Sequence, residues 1–279
     1  MDGNSFLGGI SALLSAIVWG SGDFVGGLAS RERDQFQAMV LISFAGMLTL
    51  LVAMLVLHET FPAPVSILWS IAAGISGAVG MAALYRGLAT AQAALVAPTA
   101  ALVSVVFPVL IGTLLHAAPS LEKWIGMGAG MAGIWLVTQN KSSCRETHGL
   151  GLAVLAGLGF GGFLLCIVQT ESRYVFSPLV ISKLSACLFA LLVLLFRRTR
   201  FPAIRGNGLA FLAGALDGSG NAFYLLAARL TRPELAVVLS AMAPDMTVLL
   251  AALISKQKVS AYQKLGVALC LVAIALILI

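Results

Sequence analysis

Residues 201–224 read FPAIRGNGLAFLAGALDGSGNAFY, and residues 61–84 read FPAPVSILWSIAAGISGAVGMAAL. Laid over one another, they place Phe61-Pro62-Ala63 on Phe201-Pro202-Ala203, Ala73-Gly74 on Ala213-Gly214, Gly80 on Gly220 and Ala82 on Ala222. The same offset of 140 residues puts Ser120 on Ser260 and Gly126 on Gly266, with no gap in a chain of 279. A single offset that serves the whole chain marks a tandem duplication. Each copy holds five apolar segments, and an odd unit repeated in one chain enters a bilayer upside down the second time. The expectation is an all-α membrane protein: ten transmembrane helices as two inverted five-helix repeats, 1–140 and 141–279.

Composition agrees with a bilayer as solvent. The chain is 60% hydrophobic and 10% charged, with a mean hydropathy of +1.02, whereas soluble domains average about 25% charged residues. The 17 Lys+Arg against 11 Asp+Glu read as a topology signal of membrane loops. No soluble domain is left to present a basic face, so no nucleic acid is expected as a partner. Cys144, Cys166, Cys187 and Cys270 show no framework spacing and read as packing residues. His58, His116 and His148 lie at segment ends without metal-ligand spacing. No metal and no cofactor is expected. Met1 to Ser5 lack the cationic region of a signal peptide, so the first apolar segment is expected to stay in the mature protein.

Spanning the hydrocarbon takes about 20 apolar helical residues. Segments of that kind run over 6–28, 36–57, 65–85, 93–115 and 121–139, then 149–168, 177–196, 208–228, 234–254 and 260–279. The links are short and carry breakers: Phe61-Pro62-Ala63-Pro64, Ala118-Pro119, Phe201-Pro202 and Arg232-Pro233. Gln139 to His148 is the longest polar stretch and the expected boundary between the copies. On one side of the membrane fall Arg31, Arg33, Arg86, Lys141, Arg145, Arg197, Arg198, Arg200, Arg205, Lys256, Lys258 and Lys264. On the other fall Lys123, Arg173, Arg229 and Arg232. That bias places both termini outside the cytoplasm, in a plasma or inner membrane. Inverted repeats of this kind build secondary transporters, with the substrate site near midplane where the halves meet.

Two five-helix halves, Trp19-Gly20 in the first helix, prolines inside helices 4 and 9 and glycines entering helices 5 and 10 form a known pattern. It resembles paired EamA domains of the drug/metabolite transporter superfamily, over essentially the whole chain. The resemblance implies a ten-helix carrier working by alternating access. Such carriers commonly export small metabolites such as amino acids through a cavity between the halves. Members often carry Glu-Arg just before the last helix of each repeat; Ala117-Ala118 and Gln257-Lys258 stand there instead. A second reading is a non-transporting membrane subunit or a lipid-carrier flippase component of the same fold. The partners expected are a small-molecule substrate, the lipid bilayer and protons as a coupling ion; the oligomeric state is not legible.

Charges inside spans mark the candidate site, since each carries about 2.5–3.5 kcal/mol at a helix centre on insertion scales. Asp217 and Asp245 lie about ten residues into their segments, and Asp217, Asn221 and Tyr224 share one helix face at i, i+4, i+7. Their repeat counterparts are Gly77, Met81 and Leu84, so only the second copy is polar here. Either acid is a candidate to titrate during a transport cycle. Lys183, inside helix 7, either snorkels to the interface or pairs with one of those acids. Asp23 faces the cavity or marks the boundary. Trp19 and Tyr85 complete the candidate substrate and coupling residues, and Arg86 reads as an interfacial anchor. Pro98, Pro108 and Pro244 are candidate helix breaks. Gly20-Ser21-Gly22-Asp23 also spells G-x-G-D, a signature of intramembrane aspartyl proteases. The flanking Tyr-Asp and Pro-Ala-Leu motifs of those enzymes are missing. With no zinc motif, P-loop or nucleophile elbow either, no enzyme is expected.

Overall fold

The computed structural model of the chain describes residues 3–32, 34–115, 121–138, 144–167, 169–171, 173–202, 206–230, 239–240, 242–257 and 259–278. It is built of helices, ten of them among the described residues. The first half supplies α1 (Gly3–Glu32), α2 (Gln35–Val56), α3 (Pro64–Thr90), α4 (Ala93–Leu115) and α5 (Leu121–Thr138). The second supplies α6 (Cys144–Ile167), α7 (Phe176–Phe196), α8 (Gly208–Leu230), α9 (Ala243–Leu253) and α10 (Ala261–Leu278). By length and composition alone, Phe6–Ser30, Gln35–Val56, Pro64–Thr90, Gly149–Ile167 and Phe176–Phe196 are apolar enough to cross a membrane. Large apolar side chains such as Leu192, Leu195 and Phe196 stand exposed on them, as a lipid-facing surface requires.

Local chemistry sets the ends. Asp34 caps α2, its Oδ1 accepting from the Phe36 N–H at 2.9 Å, and Pro64 opens α3 in the first turn, where a missing N–H costs nothing. At the far ends of α2 and α7, His58 and Arg198 both adopt φ 52°, and they stand 140 residues apart. Each is followed by the same return bond, Glu59 N–H to the Met54 carbonyl and Thr199 N–H to the Leu194 carbonyl. The duplicated helices therefore stop by one device, a left-handed residue that closes the last turn.

Contacts between helices obey the repeat. α1 packs on α8 as α6 packs on α3, and α6 packs on α4 as α1 packs on α9. α2 packs on α8 as α7 packs on α3, while α2 meets its own counterpart α7 and α5 meets α10. The correspondence reaches single residues: Gly214 lies against the Ile42 carbonyl, and Gly74 lies against the Ser182 carbonyl. α2 and α7 run antiparallel, for Cys187 Sγ lies 3.7 Å from the Val40 carbonyl while Leu50 and Met54 pack with Phe176, Leu179 and Val180. Counterpart helices running in opposite directions are what inverted repeats mean. Where α5 crosses α10, Cys270 Sγ lies 3.9 Å from the carbonyl of Gly130, its own counterpart.

Four expectations need correction or restriction. The polar link between the copies is shorter than 139–148, because α6 is already helical from Cys144; a helix can continue past its apolar span where water meets its polar side chains. The ninth span is not one helix over 234–254. Residues 239–240 are helical, Met242 sits in a turn, and α9 begins at Ala243; residues 231–238 and 241 are outside the described residues. Pro244 stands in the first turn of α9, two residues after the turn at Met242 that interrupts the span. α4 is continuous through Pro98 and Pro108: Pro98 is buried there and releases the Ala94 carbonyl from helix bonding without ending the helix. The side chain of Pro108 lies outside the described residues.

Glu59, in the loop after α2, ties the two halves together at one end. Its carboxylate accepts from the backbone N–H groups of Val175, Phe176 and Ser177 at 2.9, 3.1 and 2.7 Å, and from the Ser177 hydroxyl at 2.8 Å. These are otherwise orphaned donors at the start of α7, where a negative charge also meets the positive end of the helix dipole. Burial alone would raise the Glu59 carboxyl, but the four donors outweigh it and hold it below its ordinary value of 4.5. A depressed value in the folded state adds stability that is present above 4.5 and lost as pH falls through the folded value. Glu59→Gln is therefore expected to lower thermal stability in detergent by about 1 kcal/mol at neutral pH. The difference should shrink once the solution is more acidic than the ordinary glutamate range. An equal deficit at both pH values would show that the charge on Glu59 contributes nothing.

Candidate functional site

Three charged side chains inside the spans, Asp23, Lys183 and Asp217, converge where α1 and α3 of the first half meet α7 and α8 of the second. Lys183 Nζ, from α7, forms an ion pair with Asp217 Oδ2, from α8, and the side chains are 12% and 16% exposed. Of the partners open to Lys183, the structure brings Asp217 and leaves Asp245 apart. Asp23 on α1 lies within charge–charge reach of both Asp217 and Lys183. Tyr85 on α3 is 1% exposed and within reach of both aspartates.

Small residues make the convergence possible. Gly22 places the backbone of α1 against α8, so that a Cβ there would lie 3.5 Å from the Asp217 N. Gly46 does the same from α2, and its Cβ would lie 3.2 Å from Asp217 Oδ2. Gly26 leaves room for the ring of Tyr85. Hydroxyl groups fasten the same helices: Ser15 Oγ donates to the Gly220 carbonyl at 3.0 Å, and Thr247 Oγ1 to the Gly20 carbonyl at 3.0 Å.

The other candidates fall around this centre in different ways. Trp19, one turn before Asp23, fits into the space at Gly220 and stacks on Tyr224 with centroids 5.4 Å apart. Asn221 shares the helix face of Asp217, yet its Nδ2 donates to the Asp217 backbone carbonyl at 2.7 Å, so its amide is engaged within α8. Asp245 sits in the first turn of α9, its N–H donating to the Met242 carbonyl at 3.0 Å. A carboxylate there complements the helix dipole, and the structure does not join it to the Lys183 pair. Arg86 is exposed at the far end of α3. Gln257, one of the positions that departs from the family pattern, accepts from the Ala93 N–H at 3.1 Å and so ties the start of α4.

The second copy of this place is apolar. Phe163 stands where the repeat would put a partner for Asp23, Gly77 for Asp217 and Ser43 for Lys183. There a Cβ at Gly77 would touch Phe163 Cδ2 at 3.3 Å, and no charge is involved. One of two equivalent interfaces has thus become a charged site. Glu59 and Ser43 were not singled out by sequence. A lone loop glutamate and a lone helix serine carry no pattern; Glu59 gains meaning from its bonds across the halves, and Ser43 from its burial without a partner.

The EamA-like transporter family matches the chain twice, over residues 6–139 and 147–279. No curated protein matches it. Fifteen chains among solved structures do. One of them, titled "Crystal structure of protein", shares 18% identity with a TM-score of 0.63, covering 96% of this chain and 95% of that one. At that identity the likeness speaks for the fold alone. Since the family covers both halves of a chain built as inverted apolar repeats, this is an integral membrane protein belonging to the EamA-like transporter family.

Proposed function

We propose that the chain is a secondary carrier that moves a small polar or amphipathic metabolite across the membrane by alternating access, outward by the habit of its family and driven by an ion gradient or exchange. The observation that supports this most is the Lys183–Asp217 ion pair with Asp23 beside it, inside the spans and at the meeting of the two repeats. Charges at that depth are expensive unless they serve a path for substrate or ions. A subunit that only scaffolds neighbours has no use for them, and its equivalent interface, Phe163 on Gly77, shows what packing alone needs. Two acids and one base suit a substrate bearing a positive group, alone or as a zwitterion.

The test is a thermal-shift screen of the purified protein against a metabolite library, followed by flux of the hits in proteoliposomes. A hit is expected to raise the melting temperature and to accumulate against its gradient when a pH or counter-substrate gradient is imposed. Lys183→Ala and Asp217→Asn should cut that flux by about tenfold or more, in line with loss of a charge-assisted contact of roughly 1.5–3 kcal/mol. Hits that bind but never cross, in wild type and variants alike, would favour a non-transporting role.

A further inference from the structure

When all three are ionised, Asp23, Asp217 and Lys183 sum to one negative charge in the bilayer interior. Lys183 holds Asp217. Among the described residues Asp23 has neither a hydrogen bond nor an ion pair, although it faces both of the others. Every helix packed on α1 offers its charged and titratable groups to this account. Among the described side chains, α8 brings Asp217 and Tyr224; α3 brings Tyr85, with Arg86 exposed beyond it; α9 brings Asp245 in its first turn; α2 brings no charged side chain between Gln35 and Val56. The surplus carboxylate is therefore Asp23.

The space at the cluster favours the smallest cation. Gly22 and Gly46 press α1 and α2 onto α8 at Asp217, and Tyr85 fills the gap at Gly26. A proton cancels one charge and takes no volume. A second observation points the same way. Ser43 on α2 is fully buried, and its hydroxyl has no hydrogen-bond partner. It lies two turns before Leu50, on the face of α2 that packs on α7, beside the strip of Ile42 and Gly46 that packs on α8. A buried hydroxyl with its hydrogen bond unmade thus stands on the helix that Gly46 presses against Asp217.

We propose that Asp23 is the carboxylate that takes up and releases the coupling proton, with Lys183 moving from Asp217 toward Asp23 as the proton leaves and back as it returns. Protonated, Asp23 is neutral and the Lys183–Asp217 pair balances itself. When the O–H bond breaks and the proton passes to water, Asp23 becomes the anion and Lys183 is shared between it and Asp217. The assignment rests on the carrier reading above for its use in transport, and its test does not depend on knowing the substrate.

Trp19 supplies the probe. It sits four residues before Asp23 on the same helix face, stacked on Tyr224, so its emission senses the charge at Asp23. In the full chain with Trp69, Trp124 and Trp135 changed to Phe, a pH titration in detergent is expected to show one step in Trp19 emission. Asp23→Asn should lose the step while eluting as a monodisperse protein, and Asp23→Glu should restore one. A step that survives Asp23→Asn, a step lost in Asp245→Asn but kept in Asp23→Asn, or no step in the parent would each overturn the assignment. So would a Trp19 response to sodium at fixed pH in place of a response to pH. If the step behaves as expected while proteoliposomes show no flux of any thermal-shift hit, the carrier reading fails and the proton site stands.

Discussion

Lys183→Ala is expected to lower the stability of the detergent-solubilised protein by about 3–5 kcal/mol, because removing one partner leaves a buried charge uncompensated. The pair it breaks is 12% and 16% exposed, and Asp23, whenever it is ionised, adds a second negative charge within reach. The contrast inside the same molecule is the Asp34–Arg197 pair at 3.6 Å, with Arg197 52% exposed. Solvent screens that pair, and Arg197→Ala should cost no more than about 1 kcal/mol. Lys183→Ala combined with Asp217→Asn should recover part of the loss, since the stranded carboxylate is then gone. Thermal unfolding of the four proteins, wild type, each single variant and the double, closes the cycle. Purely additive losses would mean that Lys183 and Asp217 do not stabilise one another.

That pairing marks the limit of what the sequence could say about the site. Depth and helix face were legible: Asp217 and Lys183 stand well inside runs of apolar residues, and spacing alone put Asn221 and Tyr224 on the face of Asp217. Which acid Lys183 meets depends on how α7 and α8 cross, and no local pattern records a crossing. Asn221 shows the same gap, because a shared face does not say whether an amide reaches a side chain or the backbone of its own helix. Asp245 read as an acid near midplane beside a proline that frees a backbone carbonyl. The structure places it in the first turn of α9, after a turn at Met242, and sequence alone did not give that boundary. The repeat, by contrast, was legible to the residue. An offset of 140 predicts that Gly74 and Gly214 play one role, and both meet a helix carbonyl, of Ser182 and of Ile42.

Gly74→Ala and Gly214→Ala are accordingly expected to be among the most damaging of single-methyl changes, each lowering stability by about 3 kcal/mol. A Cβ at Gly214 would overlap the Ile42 carbonyl and lie 2.7 Å from the Ala45 Cβ; one at Gly74 would overlap the Ser182 carbonyl and lie 2.8 Å from the Ser185 Cβ. The obstacle in each case is helix backbone, which cannot swing aside as a flexible side chain can. The helices must separate, and in a bilayer close approach of backbones is itself the attraction between them, with no hydrophobic effect to replace it. Gly151, in α6, has nothing within 4 Å of where its Cβ would stand. Gly151→Ala should therefore be neutral or gain up to about 1 kcal/mol from helix propensity. Because the two tight glycines are the same position in inverted copies, their losses should match to within about 1 kcal/mol, inside the usual spread of such changes. Melting temperatures of the three variants in one detergent decide it. Wild-type stability in either Gly74→Ala or Gly214→Ala would mean that α2 against α8, or α7 against α3, sits farther apart in the membrane than the repeat geometry requires.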